Sequence, residues 1–240
     1  MTLGRKLLWG SFGWAMGGPI GAILGYTYAK MTENQKKEYY SRSYPKTKPG
    51  DFVVSLLVLF AKVMKADGKL LKSELNYVKQ FLSKQFDNSQ TQDFMILFKD
   101  ILEQDYPLSD VCKQIQKSMD HSSRIELIHV LFGLSKADGH IDPSELNMIL
   151  TISNYLNVNK KDFESIKAMF FKDPSSSYKV LEAVESATDH EIKKAYRKMA
   201  NKYHPDKVAH LGNEIKNIAE DKFKAVNAAY SLIKKDRGIK

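Results

Sequence analysis

The sequence predicts an all-α protein: an N-terminal transmembrane helix, a helical bundle with an internal duplication, and a C-terminal helical hairpin. Three observations carry this expectation. Residues 7–29 are apolar and uncharged. Apolar residues recur at helical spacing along the remainder, with little alternation of period two. "KADGKLLKSELN" at 65–76 returns as "KADGHIDPSELN" at 136–147, eight of twelve positions being identical at an offset of 71. With 240 residues the chain has room for two small folded units, each with a core of its own.

In chain order, the first element is the apolar stretch from Leu7 to Ala29. Its 23 residues make a helix of ~34 Å at ~1.5 Å per residue, enough for a hydrocarbon core of ~30 Å. Gly13, Gly17, Gly21 and Gly25 fall every four residues, on one face where a second helix can approach closely, so a homodimer through this helix is expected. Pro19 breaks a water-exposed helix but is tolerated in a bilayer when neighbours satisfy the freed carbonyl. Arg5 and Lys6 precede the span, and Lys30, Lys36, Lys37, Arg42, Lys46 and Lys48 follow it. The positive-inside rule then places the N-terminus outside and the C-terminal domains in the cytoplasm. A cleaved signal peptide is the rival reading, with Thr27-Tyr28-Ala29 as a poor cleavage site. The stretch "SRSYPKTKPG" at 41–50 reads as a tether. The expected division is 1–30 anchor, 31–50 basic linker, 51–172 helical bundle, 173–177 short linker and 178–240 C-terminal unit.

Composition fits folded domains, at 43% hydrophobic and 27% charged residues. The single cysteine, Cys112, excludes an internal disulfide and a zinc site built on several thiolates, and it fits a reducing compartment. The net charge of +9 divides unevenly: about +6 over residues 1–50, about −2 over 51–171 and about +5 over 178–240. Basicity at the two ends, without aromatic stacking platforms or a base-reading motif, does not make a nucleic-acid footprint. Cys112 has His121 nearby in sequence but no oriented third partner, and the six histidines form no H-x-x-x-H pair. Neither an enzyme nor a resident cofactor is expected.

"FVVSLLVLFA" at 52–61 is apolar on all sides but too short to span a bilayer, so it reads as a buried core helix. Leu75, Val78, Leu82 and Phe86 mark a second helix, and Phe94, Leu97, Phe98 and Ile101 a third. Leu127, Val130, Leu131 and Leu134, then Leu146, Ile149, Leu150 and Leu156, mark two more. The duplication makes two helical hairpins, each turning at Asp-Gly. Asp67-Gly68 with Glu74, and Asp138-Gly139 with Glu145, reproduce the second half of an EF-hand spacing. The first half is missing, because Val63 and Lys65, and Leu134 and Lys136, stand where acidic ligands are needed. Two readings follow. In one, Gly68 and Gly139 supply positive φ at helix ends and Asp142-Pro143-Ser144-Glu145 caps the next helix. In the other, Asp67, Glu74, Asp138, Asp142 and Glu145 hold a cation, although Leu71 stands where Asp142 stands in the second copy.

In the C-terminal unit, Tyr178, Val180, Leu181 and Val184 mark a short helix. Thr188-Asp189-His190-Glu191 is a capping box that opens the next one. Ile192, Ala195, Tyr196, Met199 and Tyr203 line its apolar face, while Lys193, Lys194, Arg197, Lys198 and Lys202 crowd the rest. Pro205 lacks an amide hydrogen and drives His204 toward extended geometry, so this helix ends at about Tyr203. The last helix starts at about Glu214 and runs through Ile215, Ile218, Ala219, Phe223, Val226, Tyr230 and Ile233, antiparallel to its predecessor.

Two resemblances rest on these residues. The paired KADG-x4-SE hairpins resemble the TerB-like fold of tellurite resistance, which implies stress signalling and, in the family, suspected metal binding. "YKVLEAVESATDHEIKKAYRKMANKYHPDK" followed by "KFKAVNAAYSLI" resembles the J domain of DnaJ-type co-chaperones from Tyr178 to Ile233. That resemblance implies docking of the basic helix on an acidic surface of a DnaK-type ATPase. Lys193, Lys194, Tyr196, Arg197, Lys198, Lys202 and Lys207 would form the docking face, with His204, Pro205 and Asp206 as the loop that couples hydrolysis to substrate trapping. There is no long Gly/Phe-rich linker and no repeated Cys-x-x-Cys motif, so the client-binding apparatus of general-purpose DnaJ proteins is absent. The order of anchor, TerB-like domain and J domain resembles the DjlA-type membrane co-chaperones of bacteria. It implies a DnaK-type chaperone and the lipid bilayer of the inner membrane as partners.

Overall fold

The computed structural model describes residues 49–171, 175–211 and 213–239. Among the described residues the regular structure is helical throughout, with no strand. The predicted span at 7–29, with Gly13, Gly17, Gly21 and Gly25, lies outside them. None of the described helices is long and apolar enough to cross a membrane.

The first unit is built around two helices that are apolar on nearly every side, α1 (Pro49–Met64) and α5 (His121–Ser135). A helix of that kind is stable only with neighbours all round it, and these two supply one another with a wall. Leu56, Leu57, Phe60 and Met64 of α1 and Leu127, Leu131 and Phe132 of α5 are completely buried. Around them stand α2 (Lys72–Ser83), α3 (Asn88–Glu103), α4 (Leu108–Ser118), α6 (Pro143–Tyr155) and α7 (Lys160–Phe170). Helix α1 packs on α3, α4 and α6; α5 packs on α2, α6 and α7. Phe60 meets the edges of Tyr77 and Phe81, with ring centroids 6.2 and 6.0 Å away. Gly133 lets Tyr77 of α2 lie against α5, since a Cβ there would stand 2.3 Å from the phenol oxygen. Leu150, placed by its spacing on the apolar face of α6, is instead 40% exposed, because that face is narrower than the apolar pattern.

The duplicated segments form equivalent turns after α1 and after α5. Gly68 and Gly139 take φ of +77° and +93°, a region closed to most side chains. The carboxylate of Asp67 accepts from the Lys69 amide at 2.8 Å, and that of Asp138 from the His140 amide at 2.9 Å. Both copies thus hold the same Asx-type turn.

The second unit comprises α8 (Ser176–Val180), α9 (Asp189–Lys202), 3₁₀ turns at Pro205–Lys207 and Ala209–Leu211, and α10 (Asn213–Arg237). The predicted short helix stops at Val180 and does not continue to Val184, which is 65% exposed. The reason is local: Glu182 has φ of +54°, a left-handed conformation that turns the chain out of the helix. Helices α9 and α10 run antiparallel. Tyr196 stacks on Tyr230 with centroids 4.2 Å apart and donates to Asn227 Oδ1 at 3.0 Å. At the far end Arg237 donates to the Tyr178 hydroxyl at 2.9 Å, to the carbonyls of Ala187 and Glu185, and to Asp189 at 3.3 Å.

The two units are packed together. Helix α8 lies between α7 and α10, and Ser165 Oγ of α7 donates to the Val180 carbonyl at 2.8 Å. Where α10 meets α5, Lys222 and Glu126 form a fully buried ion pair. Lys222 Nζ also sits 4.7 Å from the centre of the buried Tyr203 ring, a cation–π contact in an apolar setting. Burial raises the Glu126 pKa and lowers that of Lys222, while their mutual attraction opposes both shifts. Removing one partner leaves the other desolvated and alone, so Glu126→Leu is expected to cost about 3–5 kcal/mol. Adding Lys222→Met is expected to restore most of that loss, and urea unfolding of the single and double variants measures both.

Candidate functional site

The His-Pro-Asp turn is positioned by what stops α9 before it. The Thr188 capping box starts the helix: its hydroxyl accepts from the Glu191 amide at 3.3 Å, and Glu191 accepts from the Thr188 amide at 2.7 Å. Tyr203 closes the helix from the buried side, its amide donating to the Met199 carbonyl at 3.0 Å. His204 then adopts φ −65° and ψ 129°, the extended geometry that Pro205 requires. Residues Pro205–Lys207 form a 3₁₀ turn in which His204 Nδ1 accepts from the Asp206 amide at 3.3 Å. The His204 ring rests edge-on against Phe223 of α10 at 5.9 Å. The Asp206 side chain is 79% exposed, 3.5 Å from the imidazole nitrogen. The turn holds the Asp206 carboxylate in solvent, beside the His204 ring.

Behind it, Lys193, Lys194, Arg197, Lys198 and Lys207 are exposed. They form a cationic surface continuous with the turn. Tyr196 is half-buried and engaged with α10. Lys202 is held by Glu182 at 2.6 Å and by Asp162 of α7 in the first unit. Lys198 joins Glu182 at 2.8 Å, and the carboxylate holds the Lys198 pKa above its usual value. His121 Nε2 lies 2.8 Å from Asp162. Burial works to raise the Asp162 pKa, but Lys202 and His121 prevail and hold it below the usual carboxylate range. This cluster was not read from the sequence. Its only local signal is Asn159, whose side chain accepts from the Asp162 amide at 3.0 Å and so marks Asp162 as a first-turn residue.

The five acidic residues of the duplicated turns have structural roles. Glu74 and Glu145 accept from the amides of Leu71 and Asp142, at 2.9 and 3.2 Å. Asp142 caps α6 through the Ser144 amide at 2.7 Å, and that bond lowers its pKa. Burial raises the pKa of both Glu74 and Glu145, and Glu145 reaches about 7 from an ordinary 4.5. Among the described residues no group of three or more His, Cys, Asp or Glu side chains is arranged to hold a metal ion. Cys112 is buried in the core, where its thiol is pushed up to about 12, and His121 is bonded to Asp162.

A short helix, an antiparallel hairpin and an exposed His-Pro-Asp turn at the end of a basic helix define a J-domain protein. A protein-family model described as the DnaJ domain matches residues 176–239, and one described as tellurite resistance protein TerB matches residues 54–168. In sequence the chain is similar to curated co-chaperone proteins named DjlA. It is 27% identical to the co-chaperone protein DjlA of Vibrio cholerae, over 79% of each chain. The proteins of the same name from Photobacterium profundum and Coxiella burnetii are each 24% identical, over 98% of this chain and 99% and 98% of theirs. No solved structure matches the chain at a significant level.

Burial gives Glu145 a pH-dependent contribution to stability. Its folded pKa lies above its unfolded one, so the stability it contributes is full below about pH 4.5 and is lost as pH rises through about 7. Thermal melting of the wild type is therefore expected to weaken from about pH 5 to about pH 8, and Glu145→Gln to flatten that slope. Melting is expected to be indifferent to chelator and to added divalent cations, because these carboxylates are engaged by backbone amides of their own turns.

Proposed function

We propose that the chain recruits a cytoplasmic DnaK-type chaperone and stimulates its ATPase, and that it does so at the bacterial inner membrane. The observation that carries this reading is the solvent-exposed Asp206, held on a 3₁₀ turn at the end of an exposed cationic helix. Lys193, Lys194, Arg197, Lys198 and Lys207 steer and orient an acidic partner surface, an effect that salt screens. His204 braces the turn against Phe223, and Pro205 fixes its backbone. Asp206 then meets a basic group of the partner and favours its hydrolysis-competent conformation by binding that state more tightly. The hydrolytic chemistry belongs to the partner.

Residues 1–30 anchor the chain in the bilayer with the N-terminus outside, residues 31–50 tether it, and the glycine face at Gly13, Gly17, Gly21 and Gly25 joins two copies. Residues 51–172 serve as the client-binding or stress-sensing module, and residues 178–240 as the J domain.

Single-turnover ATP hydrolysis by a DnaK-type chaperone tests the reading. The full chain in detergent is expected to accelerate hydrolysis, less so as ionic strength rises, and Asp206→Asn is expected to abolish the acceleration while leaving the fold intact. Equal stimulation by the wild type and the variant would remove the turn from the mechanism.

A further inference from the structure

A cleft of about 570 Å³ opens between the two units beside the His-Pro-Asp turn. One wall is the end of α9, with Lys198 and Lys202, continued by Lys207 beyond the turn. The other wall is the first turn of α7, with Lys160 and Lys161. Five lysines therefore face one space against two carboxylates, Asp162 and Glu182. Both carboxylates are already bonded to Lys202, Lys198 or His121.

The placement of Lys160 and Lys161 is what local helix energetics do not explain. Asn159 caps α7, so the two lysines occupy its first and second helical positions. The positive end of the helix dipole lies there, and it favours Asp or Glu and opposes cations. Both side chains are exposed, and neither forms an ion pair among the described residues. Two cations set against the helix dipole, lining a cleft that is already cationic, leave positive charge that the chain itself does not balance. The Glu126–Lys222 pair and the Ser165–Val180 hydrogen bond join the two units that form the walls.

We infer that the first turn of α7 is a second contact for the acidic surface of the same DnaK-type chaperone that α9 engages, so that one docking face spans both units. This rests on the co-chaperone reading above. Lys207 both lines the cleft and belongs to the His-Pro-Asp turn, so an occupant of the cleft touches the turn as well. A protein surface that presents acidic side chains can enter a concavity of this kind. A flat bilayer surface meets only its rim.

The test is a titration of a DnaK-type chaperone with the full chain carrying Lys160→Glu and Lys161→Glu together. At low salt the concentration giving half-maximal stimulation should rise about tenfold while maximal stimulation is retained, and the difference should shrink as salt screens it. Thermal melting should stay the same or rise, since Glu suits the first turn of a helix. Asp206→Asn should instead lose the maximum. An unchanged half-maximal concentration, with Asp206→Asn still inactive, would overturn the second contact and leave the co-chaperone reading standing. A wild-type chain that does not stimulate would overturn both. Reduced co-sedimentation of the double variant with vesicles of anionic lipid, with an unchanged chaperone titration, would assign these lysines to the membrane and overturn the proposal.

Discussion

The arrangement of the two units depends on one buried charge pair. A lysine and a glutamate removed from water are each unstable alone. Glu126 lies in α5, one of the two largely apolar helices of the first unit, and Lys222 lies near the middle of the last helix of the second. Their pairing makes docking specific, because a shifted register would strand both charges. It also fixes Tyr203, the residue before the His-Pro-Asp turn, by placing the lysine over its ring. The orientation of the turn is therefore set by the interface as well as by the hairpin.

The helices were legible because their signals are local. The Thr188 box, Pro205 and the two Asp-Gly turns each encode their own geometry within a few residues, and the structure reproduces them. The His-Pro-Asp turn was legible for the same reason. The cluster of His121, Asp162, Glu182 and Lys202 was not, because its members come from four separate segments and meet only when the units dock. Glu126 did carry a trace of its role, as a lone carboxylate in an apolar run. Nothing in its neighbourhood named Lys222, nearly a hundred residues away, as its counterpart. Val184 shows the opposite failure: its apolar character continued a helical pattern that the left-handed Glu182 had already ended.

The duplication preserved backbone geometry. Aspartate and glycine are common to both copies because one accepts an amide and the other accommodates a positive φ. Glutamate is common because it caps. Leu71 and Asp142 differ because a helix start tolerates an absent side-chain cap when the capping glutamate is retained. The likeness to a calcium loop is a by-product of these turn requirements, which select the same residue types for a different reason.

Arg237 gives the second unit a particular order in time. Its guanidinium ties the final turn of α10 to α8, to the loop at Glu185 and Ala187, and to the start of α9. As the chain leaves the ribosome, the first unit can collapse around α1 and α5 early, in keeping with the N-terminal-first folding of domains. The hairpin closes at its open end only once residue 237 has emerged. The stretch that offers Asp206 to a partner is thus synthesised well before the side chain that completes its scaffold. A nascent chain therefore exposes the lysines of α9 before the J unit has taken its final shape.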